Sequence, residues 1–547
     1  MGKNAKSMKH IITILLLSYI FFFHGIGDYS LKEPDEGRYA EIPREMIELN
    51  DYVVPHLNYV RYFEKPPLFY WAVALSYKAF GVNEWSFRFP NALSAFLCVI
   101  ILYFFIRRWF KEEVAFLSSL ILVSSFGFFA MARIVTLDMF FSLWLFLSLL
   151  FFYGYYRERI PLFLYLFYAA LAFATLAKGP VAILLVGITI LIFLFTEKKM
   201  SFLRAMKWGW GILIYGIITL PWLLAISFRE KDFFYFFFID QHFLRFLTTK
   251  HKRTGSIFYF FPVLFGGMFP WSLFIPRGMV SLWRKQELRL FFIWTLVVFV
   301  FFSVSRSKLP PYILPIFPSL SIIIGCLFHE KWKNLIDRNK EVTVYIALFL
   351  ILSVSAFLFT GNTFNTWIGK ISTEAIDVVK GLKGFLIGIS LISIILIGLF
   401  YLKKTNTFQI VFSTLTIFSF FIICMLLLNM KTVDRLNTTK ILGNIANQKK
   451  TETDVIINYG SFEETLPFYT KTRIMLASYT GELQMGSQYE DAKNYFITED
   501  DFFKLWATDK KILCVIKTKR IQRLQERVQK VIHILACQNE RCLISNY

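Results

Sequence analysis

The chain has 547 residues, of which 56% are hydrophobic and 18% charged, against roughly 25% charged in an average soluble domain. With 64 Phe, 26 Tyr and 13 Trp, and with apolar runs that are continuous rather than alternating, it is neither a soluble globule, nor disordered, nor a transmembrane β-barrel. The net charge of +22 fits basic cytoplasmic loops of a polytopic α-helical membrane protein and not a nucleic-acid partner.

A span needs roughly 20 apolar residues. Thirteen stretches are read as spans: 10–27, 87–106, 113–131, 134–154, 161–177, 179–196, 207–228, 257–275, 289–304, 311–328, 341–360, 383–403 and 407–429. The first follows Lys3, Lys6 and Lys9 and has no small-residue cleavage site behind it, so it reads as an uncleaved anchor. Basic residues such as Arg107, Arg108, Arg157, Lys198, Lys199, Arg284 and Lys331 fall in alternate short loops, while the first long loop carries acids such as Glu33, Asp35, Glu41 and Glu45. The positive-inside rule puts the N-terminus in the cytoplasm and, with thirteen spans, the C-terminus outside.

Two outer loops are long, 28–86 and 229–256, and long loops on a membrane scaffold are where function concentrates. In Glu33–Met46, Pro34 suits a helix start, and Tyr39, Ile42, Met46 and Leu49 form one apolar stripe. An amphipathic helix lying on the membrane surface is expected, divided by Pro43, with Asp35 and Arg38 on one face. A plain solvated charged face is the alternative. Further on, Pro66-Pro67 holds Glu64 and Lys65 in extended backbone.

Isolated charges also stand at the outer ends of spans: Arg133 and Asp138, then Lys178, then Arg306 and Lys308 before Pro310-Pro311-Tyr312. Ionisable groups there are topological anchors or face a cavity. The 229–256 loop adds Phe233–Phe238, expected to lie against lipid, and then Asp240, His242 and Arg245.

Residues 431–547 are a different kind of sequence. Strand-length apolar runs at 454–459, 473–477, 495–498, 512–516 and 531–535 alternate with helix-like 500–507 and 519–530. A small outer α/β domain follows 1–430, which form the transmembrane domain. Cys537 and Cys542 flank a plausible tight turn and are either disulfide-bonded or reduced, while Cys514 reads as a buried core thiol.

The outer face therefore gathers two carboxylates, Asp35 and Asp138, and four cations, Arg38, Lys65, Lys178 and Arg245. Cations can stabilise a departing phosphate and a carboxylate can orient or deprotonate an acceptor, which suits a glycosyl donor with a phosphate leaving group. A transporter of a similar lipid is the competing class, but transporters tend to bind at the midplane between internal repeats, and no repeat is evident.

These residues carry a resemblance. Asp35–Met46, Val53–Asn58, Arg61–Leu68 and Phe80–Glu84 resemble the first outer loop of ArnT-type transferases, bacterial 4-amino-4-deoxy-L-arabinose lipid A transferases related to protein O-mannosyltransferases. The match is densest over 33–90, with echoes at Asp138, Lys178, His242 to Arg245 and Ser307 to Pro315. One departure is Gly37, where the typical motif has Thr. The resemblance implies a GT-C fold in a bacterial inner membrane and a sugar donor linked to undecaprenyl phosphate. It further implies a periplasmic site acting on lipid A or another envelope glycan or protein acceptor. It implies Asp35 as main catalytic carboxylate, Asp138 as a second acid, and Arg38, Lys65, Lys178, Arg245 and Tyr312 at the donor phosphate. Glu64 and His242 resemble positions where a divalent metal can sit, although no cofactor is required. A protein O-mannosyltransferase-like enzyme is the alternative within the class.

Overall fold

The computed structural model describes residues 2–244, 255–332, 407–434, 437–451, 454–528 and 530–547. Among these, eight helices are long and apolar enough to cross a membrane, from Ala5–Phe23 to Val411–Leu428. Two of the predicted spans are bent pairs instead. Glu112–Ser124 and Phe126–Arg133 meet at 61°, and Phe260–Gly267 and Trp271–Leu282 at 112°. The first bend sits at Ser125, whose backbone is extended. The second sits at Pro270, which cannot donate the backbone hydrogen bond a helix needs. The predicted span at 179–196 is a shorter apolar helix, Val181–Thr196. The expected spans 341–360 and 383–403 lie outside the described residues.

The first outer loop departs from its prediction. Asp35–Glu48 is one helix with Pro43 inside it, not two pieces. Nor is its charged face solvated: Glu36 to Met46 are all buried, wedged between the helical bundle and the C-terminal domain. A short hairpin of β1 (His56–Leu57) and β2 (Val60–Arg61) follows. After Pro67 a second helix, Leu68–Phe80, packs against the first.

The C-terminal region forms a six-stranded sheet in the order β5-β4-β3-β6-β8-β7. Its strands are β3 (Val455–Tyr459), β4 (Met475–Ala477), β5 (Phe496–Ile497), β6 (Ile512–Lys517), β7 (His533–Gln538) and β8 (Arg541–Ser545). Strands β3 to β6 pair in parallel, and β8 is antiparallel to both β6 and β7. The central strands β3, β6 and β8 are buried on both faces. Along β6, Leu513 and Val515 join the core continuous with the bundle, while Ile512, Cys514 and Ile516 join a second core with Phe502 and Trp506. Strands with two covered faces read as unbroken apolar runs, which is why β3 and β6 were legible; β8, with Arg541 and Ser545 at its ends, was not among the predicted runs. Cys537 and Cys542 face each other across the β7–β8 turn and are disulfide-bonded, and Cys514 is a buried free thiol.

A buried ion pair fixes the first loop on the bundle. Arg88, in the first turns of helix Glu84–Trp109, is fully buried and donates to Glu36 through Nε (3.0 Å) and Nη2 (2.6 Å). Its remaining N–H groups donate to the carbonyls of Ile26, Tyr29 and Ser30. Glu36 also accepts from the backbone N–H of Val135 at 3.2 Å. Removing one partner leaves an uncompensated buried charge. Glu36→Gln should therefore destabilise the purified protein by about 3–5 kcal/mol, read as a lower melting temperature in detergent.

Candidate active site

Helices Leu137–Glu158 and Pro161–Lys178 form a tight hairpin, so the start of one lies beside the end of the other. Thr136 caps the first, its side chain accepting from the N–H of Asp138. Asp138 thus sits at the positive end of its helix and Lys178 at the negative end of the next, each on the side its charge prefers. The two form an ion pair, and the Lys178 ammonium lies 4.5 Å from the centroid of the Tyr312 ring. Tyr312 is brought there by a 3-10 turn, Pro310–Ile316, opened by two prolines.

Asp35 and Arg38 face one side of their helix, three residues apart. Arg38 Nη1 donates to Asp35 at 3.0 Å, and its Nε and Nη2 reach Glu482 at 3.0 and 2.6 Å. Asp35 remains 41% exposed, whereas Asp138 is 9% exposed beneath its lysine; of the two carboxylates, Asp35 is the one open to an incoming molecule. Asp35, Arg38, Glu64, Lys65, Asp138, Lys178 and Tyr312 all line a single cavity of about 1190 Å³.

Part of the wall comes from elements the sequence did not reveal as functional. Tyr479, Glu482, Gln484 and Gln488 belong to the C-terminal domain. They lie in the loop that follows β4, off the carboxyl end of a parallel strand, where ligand sites gather in α/β sheets. That rule was the available signal. The π-helix Tyr235–Leu244 adds Tyr235, Phe236 and Asp240, the first and last of these five residues apart and so one π turn. The expected lipid-facing run Phe233–Phe238 is split: Phe233 and Phe237 pack inward on Phe63, Leu176 and Trp222, while Phe234 and Tyr235 are exposed.

Other sequence candidates separate here. Arg133 is buried and donates to the carbonyls of Phe21 and His24 at a helix end. Lys308 donates to the carbonyls of Phe302, Ser303 and Ser305. Both are structural caps. Arg245 and the side chain of His242 lie outside the described residues. Among the described residues, no group of three or more His, Cys, Asp or Glu is placed to hold a metal ion.

The C-terminal domain is held to this site by acids. The Glu33 carboxylate accepts from the backbone N–H groups of Glu464 (2.8 Å) and Thr465 (2.9 Å) and from the Thr465 hydroxyl. Gly37 touches the same point: a Cβ there would stand 2.5 Å from the backbone of Glu464 and Thr465. The departure from the typical Thr therefore has a steric reason. Burial pushes the Glu482 carboxyl above its ordinary range, opposed by Arg38. Burial, with Glu33 and Glu482 nearby, holds Glu464 well above it.

Comparison with known proteins gives a consistent picture. The family described as "Dolichyl-phosphate-mannose-protein mannosyltransferase" matches residues 64–224, and "Aminoarabinose transferase C-terminal domain" matches 442–546. The chain is 30% identical over 491 residues to an undecaprenyl phosphate-alpha-4-amino-4-deoxy-L-arabinose arabinosyl transferase of Yersinia enterocolitica, covering 87% of each. It is 28% identical over 510 residues to that of Shewanella sediminis, covering 90% of each. The crystal structure of ArnT from Cupriavidus metallidurans bound to undecaprenyl phosphate superposes with a TM-score of 0.86 at 25% identity, over 98% of both chains. The GT-C architecture with a C-terminal sheet domain is thus shared.

Two outcomes follow from the seam between the domains. Gly37→Thr should force the C-terminal domain off the helix, at about 1–3 kcal/mol for overpacking, with lower melting temperature and faster proteolysis between the domains. Glu464 has a folded pKa above its ordinary 4.5. Its contribution to stability is therefore fully present at acid pH and is lost as pH rises through the folded value. Glu464→Gln should flatten the fall in melting temperature from acid to alkaline pH; an unchanged slope would remove Glu464 from that role.

Proposed function

The chain belongs to the family of undecaprenyl phosphate-α-4-amino-4-deoxy-L-arabinose arabinosyl transferases, and we propose that it moves this amino sugar from undecaprenyl phosphate to lipid A on the periplasmic face of the inner membrane. It is a multi-pass membrane glycosyltransferase. The observation that carries the donor reading is the single cavity in which Asp35, Arg38 and Lys65 of the 28–86 loop meet Asp138, Lys178 and Tyr312 from the ends of separate spans. A polyprenyl chain is too apolar to leave the bilayer, so a site for its phosphate belongs at that depth.

In the transfer, the bond from the anomeric carbon to the donor phosphate oxygen breaks and its electron pair leaves with undecaprenyl phosphate. An oxygen of the acceptor forms the new bond to that carbon. Charge grows on the leaving phosphate, and Lys178, Lys65 and Arg38, with the Tyr312 hydroxyl, neutralise it. Arg245 is assigned to the same task from the sequence. Such preorganised groups act most strongly where water is excluded. Asp138 fixes the Lys178 ammonium against Tyr312. Asp35, open to the cavity and tied to Arg38, orients the acceptor. When the acceptor is a phosphate already ionised, Asp35 balances charge without removing a proton. The cations supply the electrostatic work at the leaving group, so no step is assigned to a metal.

Reconstitution with purified donor and lipid A tests this reading. The lipid A product should gain the mass of one aminoarabinose; a hexose appearing on protein would instead support a mannosyltransferase-like enzyme. Asp35→Asn should lower turnover about a hundredfold or more with folding intact. Lys178→Ala should weaken donor use about tenfold or more, the value of one charge-assisted contact. EDTA should leave the rate unchanged, and a loss restored by a divalent cation would reinstate a metal.

A further inference from the structure

The loop that follows β4 brings more to the cavity than Glu482. It runs through two single 3-10 turns, Gly481–Leu483 and Gly486–Gln488. Gln484 and Gln488, at the ends of those turns, are exposed and line the cavity. Among the described residues, neither side-chain amide has a hydrogen-bond partner.

The backbone that carries these amides is nonetheless fastened on several sides. Met485, between them, packs with Phe63, Trp222, Phe233 and Phe237. Gly486 lies against the β1–β2 hairpin, where a Cβ would stand 2.3 Å from Val60 Cγ1 and 2.5 Å from the carbonyl oxygen of Arg61. Arg61 Nη1 donates to both carboxylate oxygens of Asp491, at 3.0 and 2.8 Å, and its Nε donates to Glu230 at 3.0 Å. The same guanidinium lies 4.3 Å from the centroid of the Tyr489 ring, and the Tyr489 hydroxyl donates to Asp232 at 2.9 Å. Fixing a loop costs conformational entropy, and a loop fixed beforehand spares a ligand that cost on binding.

The loop also belongs to one side of the site. Glu482, two residues before Gln484, holds Arg38, and Arg38 holds Asp35. The donor phosphate is met at span ends by Lys178 and Tyr312. In a direct displacement the entering and leaving oxygens stand on opposite faces of the anomeric carbon, so the wall beside Asp35 receives the acceptor. An amide both donates and accepts hydrogen bonds, which matches the hydroxyl and amide groups of a carbohydrate.

We propose that Gln484 and Gln488 are acceptor-specificity residues that hydrogen-bond the carbohydrate headgroup of the lipid acceptor, and that Arg61 is the positioning residue that holds their loop. This role rests on the transfer reading above.

The test uses the full chain, purified in detergent, with donor and lipid A, and measures KM for each substrate. Gln484→Ala combined with Gln488→Ala should raise the acceptor KM about tenfold or more, the value of two neutral hydrogen bonds, and leave the donor KM unchanged. Inhibition by phosphatidic acid, which carries a phosphate monoester and no sugar, should be the same in wild type and variant. Arg61→Ala alone should raise the acceptor KM, yet add little when both glutamines are already replaced, because it acts through the same contacts. An unchanged acceptor KM in the double glutamine variant overturns the proposal, as does an equal rise in donor KM. Weaker inhibition by phosphatidic acid in that variant overturns the carbohydrate assignment. A full additional rise from Arg61→Ala in that background overturns the positioning role. Both glutamines are exposed, so their variant remains informative even if Arg61→Ala fails to fold. A wild type that leaves lipid A unmodified overturns the transfer reading itself.

Discussion

One carboxylate holds three parts of the molecule in register. Glu36 receives Arg88 from the bundle helix Glu84–Trp109 and the N–H of Val135 from the segment that leads to Asp138. Its neighbour one residue earlier is Asp35, the carboxylate open to the cavity. The Asp35 helix, the bundle and the start of the Asp138 helix thus share one fully satisfied buried polar centre. In a low-dielectric interior such a centre tolerates little displacement, because any shift exposes a charge without a partner. The relative placement of Asp35 and Asp138 is set there and not by the long loop between them.

The same short segment also recruits the C-terminal domain. Glu33 binds the start of helix Thr465–Thr470, Gly37 allows backbone to meet backbone, and Arg38 reaches Glu482. Residues 33–38 therefore face two domains at once. The C-terminal domain is not an appendage: its loop after β4 supplies one wall of the cavity and the acid that orients Arg38.

Charge pairing inside the cavity serves geometry more than attraction. Arg38 lies between two carboxylates and Lys178 between a carboxylate and an aromatic face. Long basic side chains lose considerable freedom on being fixed. Holding them in place beforehand means that this cost falls on folding and not on each turnover. The acids that do so crowd one another, which is why burial and mutual repulsion raise Glu482 and Glu464 together.

The amino-acid sequence by itself determined the membrane class, most span positions, most strands of the C-terminal domain and the set of charges in the long loops and at span ends. Those follow from hydropathy, period and loop charge, which are local. It also carried Asp35, Arg38 and Lys65 in the first long loop and Asp138 and Lys178 at span ends as candidates, and the family resemblance added Tyr312. The sequence could not tell Lys178, which faces the cavity, from Arg133 and Lys308, which cap helix ends. Nor could it show that Pro43 sits within an unbroken buried helix, or that Glu33, Glu36 and Gly37 are contact points rather than solvated surface. Glu482, more than four hundred residues from Arg38, was out of reach altogether. Those distinctions depend on which backbone groups and which opposite charges lie within a few ångströms, and only the packing of distant segments against one another decides that.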